Sequence, residues 1–325
     1  MEQNSNSSPI EKTLLQRCDE ASKLMLQAIA SVETIYVGQP EVVKLSFACL
    51  IAGGHLLLEG PPSVGKTTLA NAMADVLGMS FRRIQGTPDL TPGDITGSMV
   101  RSLKGDQFEI KEGPIFTHIL LVDELNRMGP KVQSAMLEAM QEKQVTLNGE
   151  TRKLPRPFFV IGTQNPIDNE GVYPLTEAGK DRFMMRVDVT YPSEEHELEI
   201  AMKKNVERRL PALLSADQVQ DIQGLVDELS LGKDFARTCV RIVRKFRPES
   251  SDSEIEREAS LRASTAFIRA TKALALIEGR GHPDMTDVKR IAPVILRHRV
   301  TMTNPYDKTL FDKKLSQVLN SFDIK

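Results

Sequence analysis

The chain has no tryptophan, four tyrosines and an aromatic share of 5%, so its interior has to be built from aliphatic side chains and methionine. Cysteine is scarce too. Cys18, Cys49 and Cys239 are odd in number, far apart and set in apolar surroundings. That excludes a disulfide framework and fits reduced core thiols in a cytoplasmic protein. The five histidines show no metal-ligand spacing, and His196, in an acidic helix start after Pro192-Ser193, reads as solvated. An excess of one charge is missing: 42 Lys+Arg against 44 Asp+Glu leave a net charge of −2. No global field therefore draws the chain to nucleic acid or to an anionic membrane. Long hydrophobic runs are missing as well. The most lipid-like stretch, residues 45–58, is too short to span a bilayer and is broken at Gly53-Gly54. It reads as a helix end followed by a buried strand. The opening residues are polar, unlike a signal peptide, and residues 1–10 are expected to form a disordered tail.

What is present is a complete G-x-x-x-x-G-K-[ST] phosphate-binding loop, Gly60-Pro61-Pro62-Ser63-Val64-Gly65-Lys66-Thr67. The pattern fixes four positions, and a chain of this length meets it by chance about once in a hundred. The two glycines let backbone N–H groups close around phosphate oxygens, Lys66 can reach the β- and γ-phosphates, and the Thr67 hydroxyl can sit on Mg²⁺. The flanks agree with that reading. Residues 55–58 read as a buried strand entering the loop. Residues 67–77 read as a helix leaving it, with Leu69, Met73, Val76 and Leu77 on one face and Gly78 as its stop. Contacts to ATP are therefore assigned to the run from Gly60 through Thr68.

From residue 55 to about 190, short strands alternate with helices. Candidate strands are 55–58, 81–84, 119–122, 158–162 and 183–189, several of them continuous apolar runs as expected for parallel strands covered on both faces. This predicts an α/β, doubly wound, parallel-sheet domain over residues 11–192, entered by an amphipathic helix over 11–32 and a short extended piece at Ile35-Tyr36-Val37. Two hairpins interrupt it. One, at about 98–111, turns at Lys104-Gly105-Asp106. The other, at about 144–154, turns at Asn148-Gly149. An isolated hairpin is marginal in water, so both are expected to project from the core and to need a partner surface. Beyond residue 192 the strand signal stops, and 193–325 reads as an all-helical second domain with a capping-box start at Ser215-Ala216-Asp217-Gln218.

The run Ile119-Leu120-Leu121-Val122-Asp123-Glu124 would deliver two carboxylates to the carboxyl edge of the sheet, beside the phosphate loop. One can hold the Mg²⁺ water shell while the other orients a water toward the γ-phosphate. A further buried strand ends in Gly162-Thr163-Gln164-Asn165-Pro166. There Asn165 either reaches the attacking water or γ-phosphate, or merely forms a turn before proline.

Taken as a set, several runs closely resemble the MoxR family of AAA+ ATPases over roughly residues 35–300. They are Thr87-Pro88-Asp89-Leu90, Asp94-Ile95-Thr96-Gly97, Asp123-Glu124-Leu125-Asn126-Arg127, Leu137-Glu138-Ala139-Met140, Gln144-Val145-Thr146, Gly162 to Pro166, Gly171-Val172-Tyr173-Pro174-Leu175 and Asp181-Arg182-Phe183. The resemblance implies an αβα nucleotide domain with a helical lid, assembled as a hexameric ring. ATP would be hydrolysed between neighbouring subunits to drive chaperone-like remodelling. Partners carrying a von Willebrand factor A domain are common in the family. The two hairpins would be its helix-2 and pre-sensor-1 inserts. Position by position, Lys66 and Thr67 would bind phosphate and Mg²⁺, Asp123 would support the metal and Glu124 would activate water. Asn165 looks like sensor 1, Arg182 like the arginine finger and Arg262, in Ala259-Ser260-Leu261-Arg262-Ala263, like the sensor-2 arginine. The segment Val37-Gly38-Gln39 resembles the one that lies along the adenine. Ile295 to Val300 matches the family's last lid motif, with no role assigned to Arg297 or Arg299.

The chain departs from the family at Thr176-Glu177-Ala178-Gly179-Lys180, at Met128-Gly129, and at Glu258 and Leu261 beside the sensor-2 arginine. These changes touch the surroundings of the finger and leave each catalytic group in place. Two other classes stay open on the residues. One is a nucleotide-gated binding module with slow hydrolysis. The other is a nucleic-acid motor, for which the basic stretch Arg237, Arg241, Arg244, Lys245 and Arg247 is the one pointer. A solvated face or a subunit contact fits that stretch better, because no recognition motif stands beside it.

Overall fold

The computed structural model describes residues 13–101, 108–165, 172–202, 209–247, 254–304, 307 and 309–322. The expected tail at 1–10 and the turn Lys104-Gly105-Asp106 lie outside the described residues. In chain order the elements are α1 (Leu14–Glu33), α2 (Pro40–Ile51), β1 (Leu56–Glu59), α3 (Lys66–Val76), β2 (Phe81–Gln85), α4 (Pro92–Thr96), β3 (Gly97–Arg101), β4 (Phe108–Glu112), β5 (Ile119–Asp123), α5 (Pro130–Glu142), β6 (Gln144–Leu147) and β7 (Glu150–Lys153). Then follow β8 (Phe159–Gln164), α6 (Glu177–Lys180), β9 (Met185–Asp188), α7 (Glu194–Met202), α8 (Ala216–Glu228), α9 (Lys233–Arg244), β10 (Ile255–Arg257), α10 (Leu261–Ile277), α11 (Met285–Leu296), β11 (Thr301–Met302) and α12 (Leu310–Asn320).

Five parallel strands form the central sheet in the order β2-β5-β8-β1-β9. The continuous apolar sequences of the three central strands, β5, β8 and β1, have a simple cause, since successive side chains feed opposite cores. Leu56, Leu58, Ile119, Leu121, Phe159 and Ile161 enter one cluster, with α1, α2 and α3. Leu57, Leu120, Val122 and Val160 enter the other, with α5 and the β6–β7 hairpin. Each such side chain contributes about 1.5–3 kcal/mol by leaving water, so both faces of the sheet are strongly committed.

Helix α5 runs antiparallel to the strands. It starts after Asp123 at the carboxyl edge and returns to the amino edge, where His55, just before β1, lies 3.2 Å by Nε2 from the Met140 carbonyl. The same histidine accepts from the Val160 amide through Nδ1 at 3.0 Å.

Beyond residue 193 the regular elements among the described residues are helices apart from the short antiparallel pair β10–β11, which the sequence reading did not anticipate. These helices do not pack only on one another. Helix α10 lies against α1 and α2, with Ser22 Oγ donating to the Ile277 carbonyl at 2.9 Å, and α8 lies against α2, with Gln223 Nε2 donating to the Leu50 carbonyl at 2.7 Å. One hydrophobic cluster therefore runs from α1 through α10 to α12.

Two local expectations are corrected. Ile35-Tyr36-Val37 is a turn, because the Ile35 and Tyr36 amides still bond the Val32 carbonyl at 3.0 and 2.8 Å and Gly38 reverses the chain at φ +87°. The β6–β7 hairpin has the expected Asn148-Gly149 turn, both residues at positive φ. It does not project freely, because Val145, Leu147 and Leu154 are buried beneath it. The β3–β4 hairpin keeps Met99 and Val100 exposed and meets its neighbour through Arg152 and Glu112 at 3.2 Å.

Candidate functional site

The phosphate loop joins β1 to α3 at the carboxyl edge of the sheet. Gly65 caps α3 at φ +84°, and Ser63 also takes positive φ. A Cβ at Gly60 would come 2.1 Å from the Val189 carbonyl, so the first glycine is required by the closeness of β9 as well as by the loop. Amides at the start of α3 point outward with the positive end of the helix dipole, which is a ready anion site. Lys66 is buried and its Nζ donates to the Gly60 carbonyl at 2.7 Å. Burial lowers its pKa, partly offset by Asp123, Glu124 and Glu59.

A cleft of about 580 Å³ brings together Pro62, Ser63, Gly65, Lys66, Thr67 and Thr68 from the loop, Asp123 and Glu124 from the end of β5, and Thr163 and Asn165 from the end of β8. This volume suits a ligand of nucleotide size. Sequence reasoning named most of these groups but missed three that organise the carboxylates. Thr163 Oγ1 donates to Asp123 Oδ1 at 2.6 Å and accepts from the Glu124 amide at 3.0 Å. Arg83, on β2, donates to Asp123 Oδ2 at 2.8 Å and to Gln85 Oε1 at 2.6 Å. Arg127 holds Glu124 Oε2 at 2.6 Å. An arginine within the short strand 81–84 was the available signal for Arg83. Nothing in the sequence set it opposite Asp123.

Glu124 itself sits at φ +53°, a left-handed conformation that costs a non-glycine residue about 1–2 kcal/mol. A Cβ at Gly86 would fall 2.2 Å from the Glu124 carbonyl, so that glycine makes room for the strained turn. Oxygen-only donors at Thr67 and Asp123, with no cluster of three or more metal-binding side chains among the described residues, fit a magnesium ion bound largely through substrate and water.

Val37 and Gly38 are not among the residues lining this cleft, and approach it only through the preceding Tyr36. The Tyr36 ring is 3.1 Å from where a Cβ at Gly65 would stand, and Gly38 is pressed against His196. The Tyr36 hydroxyl is buried without a partner, and burial pushes its pKa up to about 12.

Arg182 and Arg262 are elsewhere. Both contact Gln141 Oε1, at 3.4 and 3.0 Å, near the end of α5 and thus at the amino edge of the sheet. Arg262 also approaches Asp181 at 3.9 Å, rather than pairing along its own helix. The structure brings these two arginines to each other and not to the phosphate cleft of their own chain. Arg299 gains a place as well. Buried to 4% exposure, it donates from Nε to Asp181 Oδ1 at 2.8 Å and from its two Nη atoms to the carbonyls of Asp181, Phe183, Met184 and Ile295. It clamps the segment that carries Arg182. Arg297 ties α11 to α12 through Asp312 and lies 4.9 Å from the Phe311 ring centroid.

Sheet order, phosphate loop and paired carboxylates define a P-loop ATPase domain with a lid. Residues 55–185 match the family described as ATPase family associated with various cellular activities (AAA), and residues 248–317 match the AAA lid domain. The chain is 40% identical over 284 residues to Chaperone MoxR1 of Mycobacterium tuberculosis, covering 85% of this chain and 75% of that one. It is 38% identical over 287 residues to the uncharacterized protein YeaC of Bacillus subtilis, covering 87% and 89%. A crystal structure of a candidate ATPase from Cytophaga hutchinsonii superposes with a TM-score of 0.86 at 34% identity, covering 94% of this chain and 96% of that one. The chain belongs to the MoxR family of AAA+ ATPases.

Proposed function

We propose that this chain hydrolyses Mg-ATP at junctions between copies of itself in a ring, and that the cycle drives remodelling or maturation of partner proteins. The observation that carries the reading is the separation of its catalytic groups. The cleft holds Lys66, Thr67, Asp123, Glu124 and Asn165 at the carboxyl edge of the sheet. Arg182 and Arg262 sit at the other end of α5, whose 13 residues span about 20 Å. One chain cannot close both around a single triphosphate, whereas two copies can.

In this reading residues 11–192 are the nucleotide-binding unit and 193–325 the lid. Lys66 and the loop amides hold the β- and γ-phosphates. Thr67 and, through water, Asp123 would hold Mg²⁺, which when bound neutralises charge on the phosphate oxygens. Glu124 accepts a proton from the attacking water, released from Arg127 to do so, and Asn165 orients that water or the γ-phosphate. Arg182 from the neighbouring copy, with Arg262 beside it, stabilises charge spreading over the γ oxygens. An arginine in that role contributes about 10³–10⁵ in rate.

Six copies and a partner with a von Willebrand factor A domain are supported by the family resemblance. A cytoplasmic setting is supported by the three buried free thiols. No helix among the described residues is long and apolar enough to cross a membrane. The deciding experiment mixes a Lys66→Ala copy with an Arg182→Ala copy. Each alone should be inactive and the mixture should regain turnover, because some junctions then pair an intact loop with an intact finger. Normal turnover by Arg182→Ala alone, with no recovery on mixing, overturns the reading.

A further inference from the structure

Helix α7 buries none of its residues, whereas every other described helix buries at least one. Its described residues offer no packed face, and helices in proteins draw most of their stability from one. Leu198 and Met202 lie one turn apart and are 61% and 76% exposed. They form an apolar stripe, and Glu194 and Glu195 stand one turn before Leu198 on the same side. The helix is rooted near the phosphate loop, since Gly38 lies two residues beyond Tyr36, whose ring stands against Gly65. His196 packs on Gly38, and the Thr190 carbonyl accepts from Gln39 Nε2 at 2.8 Å.

Opposite charge is collected on the last turn of α9, while the approach to α10 carries the exposed acids Glu256 and Glu258. Arg241, Arg244 and Lys245 are exposed and have no acidic partner among the described residues. Leu261, the first residue of α10, is 77% exposed. Arg247 joins the two ends, donating to the Ala259 and Ser260 carbonyls at 2.8 and 3.0 Å. The same corner reaches the finger segment, since Ser260 Oγ donates to Asp181 Oδ1 at 2.8 Å.

We infer that α7 of one copy docks on the α9–α10 corner of a second copy, an inference that rests on the ring reading above. Charge selects a second copy as the occupant: Glu194 and Glu195 on α7 face the bases at the end of α9, and the Leu198–Met202 stripe meets the exposed Leu261. The contact joins different surfaces, so it is head-to-tail and can close into a ring. It also sets the cleft of one copy toward the Arg182 and Arg262 of the next, which no contact between like surfaces would do.

The test is a charge exchange, read by sedimentation with a non-hydrolysable ATP analogue and by anisotropy of a fluorescent oligonucleotide. Arg241→Glu with Arg244→Glu should raise the concentration for half-assembly by about tenfold or more, as should Glu194→Lys with Glu195→Lys. The two sets combined should restore assembly. Leu198→Asp with Met202→Asp should weaken it as well, without moving the unfolding midpoint of the monomer. Unchanged assembly in every variant, while the Lys66→Ala and Arg182→Ala mixture still regains turnover, overturns this docking and leaves the shared-site reading standing. A monomeric wild type with the analogue overturns both. Oligonucleotide binding lost in the basic-pair variant, with assembly intact, assigns the corner to nucleic acid and overturns the docking.

Discussion

Thr163 does more for the candidate site than its ordinary appearance in a strand suggests. Its one hydroxyl donates to Asp123 and accepts from the Glu124 amide, so it fixes both carboxylate-bearing residues relative to β8. Thr163→Val keeps the shape and removes both bonds. Turnover in a steady-state ATPase assay should fall by about 10–100-fold, the usual effect of losing a positioning partner, while Thr163→Ser should retain most of it. His55 makes a different prediction. Burial lowers its pKa to about 4, with the Met140 carbonyl partly offsetting and Lys143 adding to the shift. The unfolded chain protonates it near pH 6.5, so the stability it contributes is present above that pH and is lost as pH falls toward 4. The full effect is about 3 kcal/mol. Burial moves His298 in the same direction. Urea midpoints at pH 7.5 and pH 5 should therefore diverge in the wild type, and the gap should narrow in His55→Gln.

At the scale of elements, the clamp on residues 181–184 governs the segment that carries Arg182. Arg299 is buried and bonds one carboxylate and four carbonyls of the surrounding backbone, two of them, Phe183 and Met184, just after Arg182. Truncating one partner of a buried ion pair costs about 3–5 kcal/mol, so Arg299→Ala should lower the unfolding free energy by that order in denaturant titration. Arg299→Lys should not rescue it, because an ammonium has three donors and no planar fork. Gly86→Ala should lower kcat through the Glu124 backbone while leaving nucleotide affinity, measured by calorimetry, close to wild type. The central strands β1, β5 and β8 were legible from their apolar runs, because a parallel strand buried on both faces has no alternation to confuse the reading. The loop and the acids at the end of β5 were legible because each is a contiguous motif. Arg83 was not, since it meets Asp123 only through the pairing of β2 with β5. Nor was the role of Arg299, whose partners at 181–184 lie more than a hundred residues away along the chain. Ile35 to Val37 misled for a local reason: β-branched residues suggested extension where the end of α1 continued as a turn.

For the whole molecule, the cluster shared by α1, α2, α8 and α10 matters more than the change of character at residue 193. Helices from both ends of the chain complete one core, so the protein should unfold in a single transition by calorimetry rather than in two. Met25, fully buried on α1, tests this. Met25→Ala should cost about 2–5 kcal/mol and should lower hydrogen-exchange protection in α10 together with the central sheet. Protection lost in α1 alone would show that the two halves are independent.

The pinning of residues 181–184 by Arg299 and His298 also bears on how force could travel. Within a protomer, the arginine tip and the lid form one stiff lever. If ATP is hydrolysed between copies as proposed, the cycle would have little freedom to flex that lever internally, and its work would emerge as rotation of whole subunits against their neighbours.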